Sequence, residues 1–285
     1  MPVMDEFKKE REDMKNQPLS KRMAYFWEYY KWWVIAGVAI VIAIILTVRS
    51  IATRKNEVLY VALINSVATV ENNVNEDIIY PFLEAHDIGT KKNTINFSTD
   101  FVMSLDKGKD SAEGMLSSAS SAASPSAIYG GNTNQLLTSQ QKLSVYIASG
   151  QTDMLFASDA WTNEYAYNGI YAPVDTYFTE EEIAKYSDFL YYIDDAVLER
   201  YDAARSNMEF EYEEEYPDCD DISSMEKPVA IGFKLENCEI FTNNYVCGEG
   251  DAKHTVLGVV INSPKADLSK DLITYILDNT LASAD

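Results

Sequence analysis

The chain has 285 residues, with 45 Asp or Glu against 23 Lys or Arg and a formal net charge of −22 at pH 7. So anionic a chain is not expected to bind nucleic acid or anionic lipid, because both are polyanions. The first 57 residues hold ten basic and seven acidic residues, which leaves 13 basic and 38 acidic residues, net −25, in the remainder. This charge suits a soluble domain that meets cations or a basic partner, and the alternative is that it serves solubility alone.

A run of uncharged, mostly apolar residues at 33–48 is the first element along the chain. With Trp32 it is about as long as the shortest segments that span a bilayer. Lys31 and Arg49 bound it, and long cationic side chains there can reach the lipid head groups. Residues 32–49 are therefore predicted to form a transmembrane helix, with a buried core helix as the alternative. Aromatic residues typical of a membrane interface crowd its amino-terminal edge: Tyr25, Phe26, Trp27, Tyr29, Tyr30, Trp32 and Trp33.

The orientation of this helix follows from its flanks. Polar sequence precedes it and no A-x-A site follows, which favours an uncleaved signal-anchor over a signal peptide. The nearby basic residues slightly favour a cytoplasmic amino terminus, and the acidic remainder agrees. We expect residues 1–31 to form a cytoplasmic tail with an interfacial aromatic segment. Residues 57–285 would form an extracytoplasmic domain of a single-pass cell-membrane protein, in contact with the bilayer only through residues 32–49.

The first half of this domain shows two strands and a helix. Residues 58–64 (VLYVALI) predict a strand buried on both faces, since the run lacks alternation. Asn73 is predicted to cap a helix that ends before Gly89, with a short strand following at 94–97. Residues 104–134 lose periodicity and are rich in serine, which indicates an exposed low-complexity loop. The apolar positions of the helix keep a period of 3.6 residues: Val74, Ile78, Ile79, Phe82 and Leu83.

The second half alternates helices with apolar strands, the strands being at 153–157 and 256–261. Thr179 with Glu182 fits a capping box that opens a helix. This alternation predicts an α/β fold: a parallel sheet covered on both faces, in a three-layer α/β/α domain. Two helices are predicted to stop at glycines and one to begin at a cap: Gly150, Gly169 and Asp159. Apolar positions mark the helix before Gly150 and the last helix: Leu136, Leu137, Leu143 and Ile147, then Leu268, Leu272, Ile273, Ile276 and Leu277.

Two segments resemble extracellular solute-binding proteins of the ABC-transporter type. Residues 140–175, QQKLSVYIASGQTDMLFASDAWTNEYAYNGIYAPVD, follow the order helix, glycine, D-h-h-h-A strand, polar turn, aromatic helix and G-x-h-x-P-h-D. Residues 256–277, VLGVVINSPKADLSKDLITYIL, give a strand followed by the closing helix. An aromatic anchor before such a domain is also similar to single-pass envelope proteins of bacteria. The resemblance implies a domain like one lobe of a periplasmic binding protein.

The chain departs from that family in its second lobe. Only 65 positions separate residues 190 and 255, and much of that span is an acidic loop at 209–227. The second lobe is therefore expected to be reduced. The resemblance implies a membrane-anchored, non-catalytic module that binds a small solute. The alternative is an envelope interaction protein, or an accessory protein of a transporter, that has lost solute binding.

Candidate ligand residues lie where the predicted strands end, because ligands of open α/β sheets bind beyond the carboxyl ends of the strands. Short polar groups there can hydrogen-bond a solute, and Trp161 can stack on a ring. In the alternative, the polar residues cap helices and Trp161 packs in the core. The candidate residues are Asn65, Ser66, Asp100, Ser158, Asp159 and Trp161.

The acidic run at 209–221 begins with Glu alternating with Phe or Tyr, as in a strand with one wet face. Asp218, Asp220 and Asp221 could ligate a hard cation such as calcium, although the EF-hand spacing is absent and a solvated loop is the alternative.

Cys238 and Cys247 flank Asn243-Asn244, a plausible hairpin turn that would let them form a disulfide, and Cys219 is then left over.

Catalytic motifs are scarce. The two histidines, His86 and His254, lie outside H-E-x-x-H and beside no candidate nucleophile. The sequence contains no G-x-S-x-G, P-loop, G-x-G-x-x-G or C-x-x-C. We therefore expect neither enzymatic activity nor a cofactor.

Overall fold

The structure, a computed structural model, describes residues 18–103, 133–209, 212–248 and 252–284. The chain divides into two units, residues 1–55 and 56–285. The described part of the first unit is one helix of 35 residues, α1 (Leu19–Thr53), about 50 Å long at 1.5 Å per residue. Within it, Lys31–Ser50 has a mean hydropathy of 2.3. The helix expected at 32–49 is thus present, and it is long and apolar enough to cross a membrane.

The second unit is an α/β domain built on a six-stranded sheet with the order β3-β1-β4-β8-β6-β5. Two short strands, β2 and β7, form a separate antiparallel pair. The α/β class predicted from the sequence is confirmed. The strands are β1 (Asn56–Ile64), β2 (Ser66–Ala68), β3 (Asn93–Phe101), β4 (Met154–Ser158), β5 (Leu190–Asp194), β6 (Pro228–Lys234), β7 (Tyr245–Cys247) and β8 (Thr255–Val259).

The sheet is mixed, so the prediction of a wholly parallel sheet is wrong. β1 is parallel to β3 and β4, but β8 runs antiparallel to both β4 and β6, and β5 antiparallel to β6. The last residues of β6 lie beside the first residues of β8, where the Leu235 amide donates to the Thr255 carbonyl at 2.8 Å. Because β8 begins where β6 ends, it has to run antiparallel to β6.

Consecutive residues of the strands face two hydrophobic cores, one on each side of the sheet. In β1, Leu59, Val61 and Leu63 belong to the first core, and the residues between them belong to the second. α2 (Tyr80–Ala85), α7 (Glu239–Thr242) and α8 (Ala266–Ala284) contribute to the first core. α3 (Thr133–Ala148), α4 (Asp159–Ala166) and α6 (Asp195–Ser206) contribute to the second. Helices therefore pack on both faces of the sheet.

Local sequence rules account for most helix ends. Thr179 and Glu182 form the predicted capping box at the start of α5 (Glu180–Lys185). Gly150 and Gly169 have φ of +66° and +68°, the left-handed conformation expected where a helix stops. α4 begins one residue earlier than predicted, because Ser158 rather than Asp159 occupies the cap.

The helix predicted after Asn73 begins as a π-helical turn (Asn75–Ile79) that continues into α2. Val74 precedes this turn and makes no side-chain cap, so the predicted Asn73 cap is wrong. The five apolar positions predicted for this helix are buried.

The two predicted loops are only partly covered by the described residues. Residues 104–132 of the low-complexity segment lie outside the described residues, and 133–134 begin α3. In the acidic loop, residues 212–218 have no regular structure. The prediction of a strand is therefore wrong for the described residues of this segment. A strand needs a partner for its ladder, and this segment pairs with none of the described strands.

Gly258 permits a close approach at the centre of β8. A Cβ built at this position would lie 2.6 Å from Cδ1 of Tyr171 and 2.7 Å from the Ile231 carbonyl oxygen. The Tyr171 ring lies against this strand, and the Tyr171 backbone forms an antiparallel bridge with Val260. A side chain here would force apart two elements that are otherwise closely packed.

We expect Gly258→Ala to lower the free energy of unfolding by about 1–3 kcal/mol, because the new methyl group overpacks the site. Denaturation of the full chain in detergent, followed by circular dichroism, measures the change. Gly89→Ala is the matched control, since a Cβ there meets no atom within 4 Å. Equal stabilities of the two variants would contradict the prediction.

Candidate functional site

Two of the predicted ligand residues, Asn65 and Ser66, are buried at the end of β1. Asn65 has φ of +47°, and its side chain binds the Met103 backbone in both directions. Its Oδ1 accepts from the Met103 amide at 2.7 Å, and its Nδ2 donates to the Met103 carbonyl at 3.2 Å. The Ser66 hydroxyl donates to the Ile64 carbonyl at 2.9 Å. The Asn65 side chain thus joins the ends of β1 and β3, whereas the Ser66 side chain bonds within its own turn.

Trp161 and Ser158 lie at the start of α4 in the second core. The Ser158 hydroxyl accepts from the Trp161 amide at 3.5 Å, as a helix cap. The Trp161 side chain is only 5% exposed and stacks on Tyr165, with ring centroids 6.0 Å apart. In this conformation Trp161 offers little surface to a solute, which favours the alternative that it is a core residue.

We expect Trp161→Ala to lower the free energy of unfolding by about 3–5 kcal/mol, since it opens a cavity in the second core. Trp161→Phe fills most of that space and should cost much less. Denaturation of the full-length variants measures both effects. An unfolding midpoint unchanged in Trp161→Ala would show that this side chain is not a core residue.

Another predicted ligand residue, Asp100, lines a cleft of about 580 Å³ between the edge strand β3 and helix α3. Asp100 lies within β3, which is longer than the strand predicted at 94–97. The cleft extends along the side of the sheet rather than across the carboxyl ends of its strands. Its charged and aromatic lining consists of Glu57, Tyr60, Phe97, Asp100, Lys142, Tyr146 and Lys265.

Lys142 is the central cation of this cleft. Its Nζ lies 2.8 Å from Asp100 Oδ2 and 5.5 Å from the centre of the Tyr146 ring. Burial alone would lower the pKa of Lys142, but the hydrogen bond and charge of Asp100 outweigh it and raise that pKa. Tyr146 also meets Tyr60 edge to face, with ring centroids 5.5 Å apart. The cleft therefore combines a partly exposed ion pair with two phenol rings.

Asp153 fixes the other end of the cleft. Its carboxylate is 1% exposed and accepts hydrogen bonds from the Tyr60 amide at 2.9 Å and the Ser263 hydroxyl at 2.9 Å. Lys265, which lines the cleft, places its Nζ 3.2 Å from the same carboxylate. Asp153 is the first residue of the D-h-h-h-A strand, but the sequence pattern gave no indication of these long-range bonds.

The three aspartates predicted as cation ligands separate into two groups. Asp218 and Asp220 share Lys253, whose Nζ lies 3.1 Å and 2.6 Å from their carboxylates. Asp221 instead accepts a hydrogen bond from the Ser223 hydroxyl at 2.6 Å. These contacts do not gather all three carboxylates around one point.

His254 joins the Asp220 group at the carboxyl ends of β4 and β6. Its Nε2 lies 2.9 Å from Asp220 Oδ2, and its Nδ1 lies 2.6 Å from Glu236 Oε1. Lys234 also contacts Asp220, at 2.6 Å. Hydrogen bonds from Lys234, Lys253 and His254 lower the pKa of Asp220.

Cys219 completes this group, and burial raises the pKa of its thiol. The ligand atoms of Cys219, Asp220 and His254 all lie within 4.8 Å of one another. Asp159 adjoins the group, because its amide donates to the His254 carbonyl at 3.0 Å. The sequence could not predict this grouping, since 35 positions separate Cys219 from His254.

The three cysteines all lie within the described residues, and they form no disulfide with one another. The hairpin on which the predicted Cys238–Cys247 bridge depended is absent, because Glu239–Thr242 forms the helical turn α7. Asn244 is buried rather than at an exposed turn, and its Oδ1 accepts from the Asn73 amide at 2.7 Å. Cys247 pairs with Ser66 across β2 and β7 instead of facing Cys238 in a hairpin.

No protein-family model, curated protein or solved structure matches this chain. The resemblance to solute-binding proteins therefore stays a prediction that depends on residues 140–175 and 256–277.

Proposed function

We propose that this chain is a membrane-anchored, non-catalytic binding module that takes a small polar solute in the cleft beside β3. The observation that carries the proposal is the cleft itself, whose volume of about 580 Å³ lies within the usual range for ligand pockets. Polar backbone and side chains of the edge strand form one wall, and α3 forms the other. A pocket with this lining suits a solute that makes several hydrogen bonds.

The ion pair in the cleft indicates the class of solute. Lys142 and Asp100 are already paired, with side-chain exposures of 30% and 69%. A solute with a single charge would pair with one of these groups and leave the other to solvent alone. A zwitterion, such as an amino acid or a short peptide, can insert its carboxylate beside Lys142 and its ammonium beside Asp100. Such a solute keeps every charge paired.

A binding role rather than a catalytic one agrees with the side chains present. The residues that line the cleft within the described ranges include neither His nor Cys. Tyr60 could serve as an acid or base only poorly, since burial raises the pKa of its phenol above the ordinary value. We therefore propose that the solute leaves chemically unchanged.

The anchor in this proposal is α1, which carries the apolar stretch Lys31–Ser50. An uncleaved helix of this kind would keep the binding domain at the membrane surface. The basic residues near the helix and the acidity of residues 58–285 favour a cytoplasmic amino terminus and an extracytoplasmic domain.

Docking of an envelope or transporter protein is the second candidate function, and the edge strand favours it. β3 is the terminal strand of the sheet, and of the described strands only β1 pairs with it. An extended segment of a partner could add to this edge through backbone hydrogen bonds. Loss of crosslinks to membrane partners after Thr94→Pro, at a β3 position outside the cleft lining, with solute binding intact, would favour docking.

We expect the full chain in detergent to gain thermal stability from a zwitterionic solute. At 100 times its dissociation constant, a ligand adds about 2.7 kcal/mol to the free energy of unfolding. Lys142→Met should weaken that ligand at least about tenfold, because it removes a charged hydrogen-bond partner. A thermal-shift screen with amino acids, peptides, sugars and anions provides the measurement.

Lys227→Met is the matched control for that screen. Lys227 is exposed and paired with Glu199, outside the cleft lining, so its loss should leave the ligand shift unchanged. Equal effects of the two substitutions, or no shift with any solute, would contradict the proposed cleft.

Protease added to intact cells should digest residues 57–285 and leave only a fragment around α1. The reason is that the domain lies on the outer, extracytoplasmic side of the membrane in the proposed orientation. Immunoblots against the carboxyl terminus measure the loss, and a cytosolic protein that stays intact is the control. A full-length band that disappears only after cell lysis would place the domain in the cytoplasm and contradict the proposed orientation.

A further inference from the structure

We propose that Cys219, Asp220 and His254 bind a transition-metal ion, with Zn²⁺ as the best fit. Their sulfur, oxygen and nitrogen ligand atoms lie within 4.8 Å of one another. Ligands 2.0–2.3 Å from a tetrahedral zinc ion are about 3–4 Å apart, so small rotations of the side chains would bring these three into place. This site is separate from the cleft and independent of the proposed solute.

The types of ligand select the metal. A thiolate and an imidazole suit Zn²⁺ and other borderline or soft ions, whereas calcium and magnesium take oxygen ligands almost exclusively. The calcium expectation for Asp218, Asp220 and Asp221 used carboxylates alone. In the structure only Asp220 of that set joins the group, and the other two ligands are Cys219 and His254. This change of ligands favours zinc over calcium.

Glu236 supplies the support that metal-binding histidines usually have. Its Oε1 lies 2.6 Å from His254 Nδ1, so that nitrogen can donate its hydrogen to the carboxylate. This bond fixes the ring and leaves Nε2, which lies 2.9 Å from Asp220, directed at the proposed site. A carboxylate behind the imidazole is the usual arrangement at zinc sites.

The surrounding charges are compatible with a dication. Lys234 and Lys253 each lie 2.6 Å from Asp220, and a carboxylate has about four lone-pair positions, which leaves room for both lysines and an ion. The carboxylates of Asp218 and Glu236 add negative charge nearby, and the Cys219 thiol would add more when the ion displaces its proton. The two lysines would then hold the Asp220 carboxylate in place behind the ion.

The place of the group in the fold gives it access to solvent. It lies at the carboxyl ends of β4 and β6, where ligands of open α/β sheets usually bind. Cys219 is buried and the His254 side chain is 12% exposed, but the Asp220 side chain is 36% exposed. An ion could therefore enter past Asp220. With three protein ligands, the fourth position of a tetrahedral ion is left for water or a partner group.

Cobalt titration of the full chain tests this site. The protein is purified in detergent, reduced and stripped with a chelator before Co²⁺ is added. We expect one Co²⁺ per chain, with a thiolate-to-cobalt charge-transfer band that Zn²⁺ abolishes and excess Ca²⁺ leaves unchanged. Absence of the band, or its loss with Ca²⁺, would overturn the proposal.

Substitutions assign the ligands. Cys219→Ser should abolish the charge-transfer band, and His254→Gln should weaken Co²⁺ binding at least tenfold. Cys238→Ser and Cys247→Ser are matched controls that should keep the band, because neither thiol belongs to the group. A band that survives in Cys219→Ser would overturn the proposal.

Glu236→Gln provides a second test of the site if a variant of one of the three ligands fails to fold. This substitution leaves all three ligands present and should weaken Co²⁺ affinity about 10- to 100-fold, as removal of outer-shell partners typically does. The metal-free far-ultraviolet spectrum confirms that the fold is retained. An unchanged affinity in folded Glu236→Gln, together with unchanged affinity in His254→Gln, would show that His254 is not a ligand.

Discussion

Helices cover both faces of the six-stranded sheet, so consecutive residues of each strand must be apolar or must have their polar groups satisfied inside the protein. The strands meet this condition with apolar runs through their middles and buried polar side chains at their ends. Asn65 closes β1, Asp153 precedes β4 and Asp194 ends β5. Asp194 accepts from the amides of Ala196, Glu226 and Lys227, and these bonds outweigh the effect of burial and lower its pKa. The cleft lies beside Asp153, and the His254 group lies beside Ser158, which is buried at the end of β4.

Features that depend on neighbours in sequence could be predicted. The Thr179 capping box, the glycine stops and the buried positions of α8 each depend on residues within one or two helical turns, where spacing fixes geometry. Strand direction could not be predicted, because an apolar run such as 256–261 gives the same pattern in either direction. The Asn243-Asn244 hairpin failed for a related reason: Asn244 is a turn former in isolation, but its side chain bonds Asp77 and Ile240 inside the fold.

The candidate sites show the same division. Sequence reasoning found Asp100 and Asp159 as polar residues near strand ends and Asp220 as a carboxylate of the acidic loop, but it could not state which residues each of them meets. Asp100 faces a cation from α3, and Asp220 meets His254 from the segment before β8. Those pairings depend on which strands are neighbours, and that order is set by the packing of the whole sheet. A lone histidine in an acidic chain carried no local pattern that pointed to Glu236 or Cys219.

The position of β8 in the sheet has a consequence for how the domain forms. β4 is complete at residue 158 and β6 at residue 234, but the strand that lies between them begins at residue 255. Until the chain extends past residue 259, both earlier strands have an unpaired edge with backbone groups open to other chains. The sheet therefore closes through contacts between distant parts of the sequence, which makes folding slow and prolongs exposure to aggregation. Loss of the last strand would divide the sheet through its middle rather than trim its edge.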